Sequence, residues 1–343
     1  MAKKRGNWLI LPLALVSAAL LLVYVCFGSA RLSLEQVIAA LGYRFFGLGE
    51  KVGNHGAIVE LRLWRTMLAY LTGAALSVSG AAMQAVFGNA LADPHIMGVS
   101  SGAALGAAIA TVFSLQTTML GLSAVSLCAF AGGLAAAFAV MAVARINGRA
   151  GTTGLLLAGV AMGAFLSALL SGLLALNRGS AEAVYMWTMG SFSAASDTKV
   201  SLAAATLAFC LALLLLFSRE LNLLLTGESE AASLGVHVRF VRGAVLLIST
   251  MLTAVVVSMS GVIGFVGLMM PHAARRISGP KHQTLFPISA LLGGIFLMTA
   301  DTLARSVARV EIPVGVLTSL IGGPFFLFLL RRMRTGKRRS EHA

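Results

Sequence analysis

The chain has 343 residues, of which 58% are hydrophobic and only 11% charged, with a mean hydropathy of +0.90 and a formal net charge of +14. This composition excludes a soluble globular domain. The positive charge does not indicate nucleic acid, because the basic residues gather at the ends of apolar runs and in the tails, where a bilayer protein places them.

An apolar stretch of about 20 residues crosses a bilayer core as a helix, because only a helix satisfies its own backbone hydrogen bonds there. The predicted elements, in chain order, are spans at about 8–28, 62–87, 96–114, 119–144, 152–176, 199–217, 243–261, 263–277, 285–303 and 313–330. The first follows Lys3-Lys4-Arg5 and continues past any convincing small-residue cleavage site, so it reads as an uncleaved span. The eighth is the shortest. The 37 glycines and the many Ala and Ser residues favour close helix packing, hence an all-α integral membrane protein forming one transmembrane domain over 1–343. Its cytoplasmic parts include a tail at 1–7, a coupling loop at 218–242 and a basic tail at 331–343.

Ten spans put both termini on one side. With the N-terminus inside, Lys3, Lys4, Arg5, Arg145, Arg149, Arg219, Arg239, Arg242, Arg275, Arg276, Lys281 and six tail residues lie inside. That is 17 of the 26 basic residues, which fits cytoplasmic termini. A faint inverted repeat is also visible. Ser77-Val-Ser-Gly80 precedes Pro94-His95, and Ser258-Met-Ser-Gly261 precedes Pro271-His272, on spans of opposite direction.

Four segments carry candidate function. Arg62, Arg65 and Arg305 fall at the outer mouths of spans, where positive charge is disfavoured, and suit docking of an acidic partner. The alternative is local ion pairing, Asp301 with Arg305 at i,i+4 and Glu60 with Arg62 or Arg65. In the inner loop Gly88–His95, Asn89 and Leu91 could form a constriction, or the segment could be a plain turn. The outer loop Asn177–Lys199, with Tyr185 and Trp187, suits either a lateral gating helix or an interfacial aromatic anchor. In the inner loop Ser218–Arg242, Thr226 can cap a short helix. Glu228 and Glu230 suit its positive end, and Gly235 its stop. Such a helix can transmit force to a partner or be an ordinary surface element.

No nucleophile–base–acid set stands out, so no catalytic residue is expected. Cys26, Cys128 and Cys210 sit inside apolar runs, and the histidines show no ligand spacing, so no metal site is expected. No GxxxxGK[ST] sequence is present, so any ATP chemistry belongs to another chain. The sequence also shows no mid-span carboxylate of the kind a proton-coupled transporter needs.

Taken together, these pieces resemble the permease subunits of the iron-siderophore, haem and vitamin B12 importers of the FecCD type. The resemblance is carried by Arg62-Leu-Trp-Arg65, Gly73–Gly80 with Gln84, Asn89–Ala92 with Pro94, Gly98–Ala103 and Leu155–Val160. Further along it is carried by Gly227-Glu228 with Leu234-Gly235, Gly264–Leu268 with Pro271-His272 and Arg275, Ala300-Asp301 with Arg305, Glu311–Gly315 and Gly322–Phe325. It implies ten spans per subunit and a dimer of twenty, a homodimer by expectation, in the bacterial cytoplasmic membrane. It implies two cytoplasmic ATPase subunits that hold ATP and Mg, no cofactor in this chain, and a soluble substrate-binding protein outside. Arg62, Arg65 and Arg305 would dock that protein. Thr226, Gly227, Glu228, Ala231, Leu234 and Gly235 would sit on the ATPases, and Asn89 and Leu91 would form the inner gate. The fifth and tenth spans would line most of the pathway. The family usually has Pro where Trp64 and Ala90 stand here.

Overall fold

The computed structural model describes residues 7–28, 32–47, 53–119, 121–145, 152–307 and 311–340. Lys3, Lys4, Arg5, Arg31, Lys51, Arg149 and Arg309, which entered the charge count, lie outside them, as do the side chains of the basic tail residues from 332 on.

The described chain is almost wholly helical. Helix α1 spans Asn7–Cys26, α2 Leu34–Phe46, α3 Gly53–Phe87, α4 Val99–Val112, α5 Ala124–Arg145, α6 Thr152–Leu176 and α7 Ala181–Thr188. Then follow α8 (Asp197–Leu216), α9 (Ser218–Leu224), α10 (Glu228–Ser233), α11 (Val238–Ser260), α12 (Val266–Ser278), α13 (His282–Ser306) and α14 (Val314–Ser340). Among the described residues, seven helices (α1, α3, α5, α6, α8, α11 and α13) are long and apolar enough to cross a membrane, and α4 and the stretch Val314–Leu329 of α14 are shorter apolar helices. The chain is an all-α integral membrane protein, and every span expected from sequence coincides with a helix.

The differences lie at the edges. Helix α3 is 35 residues long and starts well before the expected 62, because polar residues such as Asn54 and Glu60 continue a helix outside the apolar zone. Two short strands, β1 (Thr118–Met119) and β2 (Leu122–Ser123), pair antiparallel, so the helix of the fourth span starts at 124 rather than 119. The eighth span begins at Val266, after a non-helical stretch at 261–265 in which Phe265 adopts φ +68. Helix α2 is an element the hydropathy pattern did not show. It is started by a capping box in which Ser33 Oγ accepts from Gln36 N while Gln36 Oε1 accepts from Ser33 N.

Two close crossings organise the core. Gly73 of α3 faces Gly293 of α13, and a Cβ on either would collide with the other's carbonyl oxygen. Gly102 of α4 and Gly132 of α5 face each other in the same way. In lipid, small residues allow this approach and let dispersion contacts accumulate where the hydrophobic effect between helices is weak. Polar side chains then join the helices. Ser79 Oγ of α3 donates to Ser249 O of α11 (3.1 Å), and Gln84 Nε2 donates to Leu268 O of α12 (3.3 Å). The two Ser-x-Ser-Gly segments differ in setting. The first runs into the α3–α12 contact at Gly80, whereas the second ends α11 at Gly261, packed against the carbonyl of Trp187. Pro94 opens a 3-10 turn, Pro94–Met97, while Pro271 lies inside α12.

Candidate functional site

The three arginines converge at one end of the bundle. Arg65 on α3 meets Asp301 on α13 through a fork. Its Nε and Nη2 donate to the carboxylate at 3.0 and 2.9 Å, and its Nη1 donates to Glu311 at 2.9 and 3.1 Å. Asp301 is buried, with a side chain 2% exposed, whereas that of Glu311 is 57% exposed. Arg305 donates to Tyr24 O (2.8 Å), and its Nε lies 3.9 Å from Asp301. Buried Arg62 donates to the carbonyls of Val25 (3.3 Å) and Cys26 (3.2 Å), where α1 ends. Those terminal carbonyls have no partner further along their own helix, so they are natural acceptors for a cation.

This geometry revises the sequence reading in two respects. The expected i,i+4 contact of Asp301 with Arg305 is present but long, and the main partner of Asp301 is Arg65, 236 residues away. Glu60 pairs with neither Arg62 nor Arg65. It meets Arg44 of α2 at 3.2 Å and accepts from Trp64 Nε1 at 3.3 Å, so the Trp at that position gives the helix an i,i+4 side-chain bond. The arginines are also not projecting cations. The side chains of Arg65 and Arg305 are only 13% and 5% exposed.

Beside this cluster opens a cavity of about 450 Å³. Arg65, Asp301 and Glu311 line one side, with Trp187 of the lateral helix α7 and Lys199 of α8 also in its wall. The lateral helix anticipated between 177 and 199 is therefore a wall of the opening. The segment after Glu311 is tied to it, since Gly315 N donates to Met189 O, just past α7, at 3.1 Å.

At the opposite end of α13 lies the second group of predicted residues. Helix α10 runs from Glu228 to Ser233, with Glu228 and Glu230 in its first turn, and Gly235 (φ +84) follows it as expected. Thr226 does not cap it. Its Oγ1 donates back to Leu223 O (2.7 Å) and closes α9, while Gly227 at φ +129 occupies the cap position of α10. The turn between α9 and α10 needs a conformation that a threonine would resist, and this places the Gly one residue further on. Ala231 is fully buried and Leu234 is 64% exposed, so α10 presents one face to the body and one outward. Glu228 forms an ion pair with Arg242 of α11. Sequence reasoning missed the anchor beneath. Asn222 Oδ1 of α9 accepts from His282 N (2.9 Å) and lies 2.8 Å from His282 Nδ1, and Asn222 Nδ2 donates to Gln283 Oε1 (2.8 Å).

Asn89 and Leu91 lie in the turn after α3. The Asn89 side-chain oxygen accepts from Leu91 N (2.9 Å), an Asx turn that stabilises the reversal without a proline at position 90. The next turn is fixed by Asp93, which accepts from His95 N, and by His95 Nε2, 2.9 Å from Ile263 O. Among the described residues no cluster of His, Cys, Asp or Glu could hold a metal ion.

The comparisons with known proteins agree with this architecture. The FecCD transport family matches residues 14–332. The chain belongs to that family. It is similar to the hemin transport system permease protein HmuU of Yersinia pestis, 41% identical over 322 residues that cover 92% of this chain and 94% of that protein. It is also similar to the cobalamin import system permease protein BtuC of Halobacterium salinarum, 45% identical over 271 residues, 79% of this chain and 72% of that protein. Among solved structures, an inward-facing conformation of a metal-chelate type ABC transporter superposes with a TM-score of 0.79 at 31% identity, covering 94% of this chain and 98% of that one. The chain is thus a transmembrane permease of the kind that serves ATP-binding-cassette importers.

Proposed function

We propose that this permease carries a metal chelate (a ferric siderophore, haem or cobalamin) into the cell by alternating access, as a homodimer on two cytoplasmic ATPase subunits, with a soluble binding protein delivering the cargo from outside. The observation that carries the reading is the near full-length similarity to a metal-chelate type transporter. In this reading ATP and Mg reside on the ATPases, this chain holds no cofactor and performs no catalysis, and both termini are cytoplasmic. The chain acts as one transmembrane domain with the loop 218–242 as its coupling segment.

The residues divide by face. Arg62, Arg65 and Arg305 form the docking end for acidic side chains of the binding protein. They act together with Lys199, which lines the same cavity as Arg65, Asp301 and Glu311. Thr226, Gly227, Glu228, Ala231, Leu234 and Gly235 shape the coupling segment. Exposed Leu234 and the outer face of α10 meet the ATPase, while Ala231 seats the helix on the body. Asn89 and Leu91 form the inner gate together with their copies in the second subunit. The second copy covers parts of α6 and α14, where Leu157, Val160, Leu320 and Leu327 are strongly exposed.

The experiment is purification of the tagged chain in mild detergent, identification of what accompanies it, and reconstitution. Two permease copies with two ATPases, and ATP hydrolysis stimulated by a loaded binding protein, are the expected result. A lone chain that transports without ATP would overturn the reading. Uptake of ferric siderophore, haem and cobalamin measured side by side distinguishes the cargo.

A further inference from the structure

The two carboxylates on Arg65 are not equivalent. Asp301 is sealed between α3 and α13 and takes the Nε/Nη2 edge of the guanidinium. Glu311 takes Nη1 from the solvent side of the cavity, on the non-helical segment that leads into α14. Removing Asp301 would leave a buried charge unpaired, whereas removing Glu311 would not, because Arg65 keeps its inner partner. An exposed pair of this kind is weak and open to exchange. Lys199 lines the same cavity, and Arg305 Nε lies 3.9 Å from Asp301, so further positive charge stands beside the pair.

We infer that Glu311 is an internal stand-in for the docking partner. It holds Arg65 Nη1 until an acidic side chain of the soluble binding protein takes that place. The inference rests on the docking role proposed for the arginines. The exchange has a structural consequence. Glu311 released from Arg65 removes one tie on the start of α14. The same segment is bonded through Gly315 N to Met189 O after α7 and through Ile312 N to Ala304 O of α13. Docking at Arg65 would remove the side-chain tie while these two backbone bonds stay in place, so the segment keeps its seat on the cavity wall.

The test is a double-mutant cycle on the complete transporter in lipid nanodiscs, titrated with the binding protein that stimulates its ATPase. Glu311→Gln removes the competing charge. Arg65→Lys keeps a cation on Asp301 but removes the fork that Glu311 uses, so that variant retains its buried pair. The expected result is that Glu311→Gln tightens binding about two- to fivefold, the range of an exposed ion pair. The gain disappears in the Arg65→Lys background, because the two residues act through one contact. An equal gain in both backgrounds would reduce Glu311 to a general repulsive charge and overturn the inference, as would no gain or a loss in the Arg65 background. If Arg65→Lys and added salt both leave binding unchanged, the docking role itself fails. If they weaken binding while Glu311→Gln has no effect, docking stands and only the stand-in fails.

Discussion

Arg65 and Asp301, on helices 236 residues apart in sequence, meet in a two-pronged ion pair with the aspartate side chain 2% exposed. The pair ties the start of the apolar part of α3 to the end of α13, the same two helices that cross at Gly73 and Gly293. A buried pair of this sort adds little over an apolar contact, but breaking it by removing one partner is costly.

Asp301→Asn is therefore expected to lower stability by about 3 kcal/mol or more, since Arg65 and Arg305 lose their shared buried counter-charge. Thermal unfolding of the chain in nanodiscs checks this. Glu311→Gln serves as the comparison, and its unfolding midpoint should change far less because its side chain is exposed.

Charge reversal is a poor probe of docking here. A glutamate at Arg62 would point a buried carboxylate at two carbonyl oxygens, and one at Arg305 would face Asp301. Lost uptake would then report misfolding. The discriminating measurement is ionic strength. Association of the binding protein with the wild-type complex should slow about tenfold or more between low and high salt, as expected for charge-steered encounter. A flat salt profile would remove the arginines from docking.

Gly73→Leu is expected to prevent normal folding, because the added side chain must enter the Gly293 carbonyl. Gly243→Ala on α11, where an added Cβ meets nothing within 4 Å, should be neutral or stabilise by up to about 1 kcal/mol through helix propensity. Yield of monodisperse protein and unfolding temperature report both.

Arg242→Ala frees Glu228 and loosens α10 from α11. The expected outcome is a few-fold loss of uptake with ATP hydrolysis retained, in keeping with a contact worth about 1 kcal/mol. Parallel assays of hydrolysis and uptake in proteoliposomes check it. Equal loss of both would indicate failed assembly instead.

How much of this was legible follows from which interactions are local. Apolar runs of span length appear as helices because hydrophobic length and backbone satisfaction act within one segment. The residue pattern around Gly227 and Gly235 similarly shows a short helix, although the role of Thr226 depended on a turn that composition does not reveal. Helix α2 escaped a hydropathy reading because it is short and amphipathic, yet Ser33-Leu-Glu-Gln36 is a capping-box signature and was readable. The pairing of Arg65 with Asp301 and Glu311 was not readable. Charge alone allowed Glu60 as well, and the choice is made by the α3–α13 crossing, which brings residue 301 to residue 65. Asn222 gave no signal of its own, since an Asn near a helix end has many uses and its partner lies 60 residues on.

Helix α13 begins at the Asn222–His282 contact and carries Asp301 near its other end. Its 25 residues make a rod of about 37 Å at the rise of an α-helix. Tilting such a rod by about 5° about one end swings the other by about 3 Å, roughly the length of a hydrogen bond. In the proposed reading, a small push on α9 and a carboxylate arriving at Arg65 would act near opposite ends of this one helix.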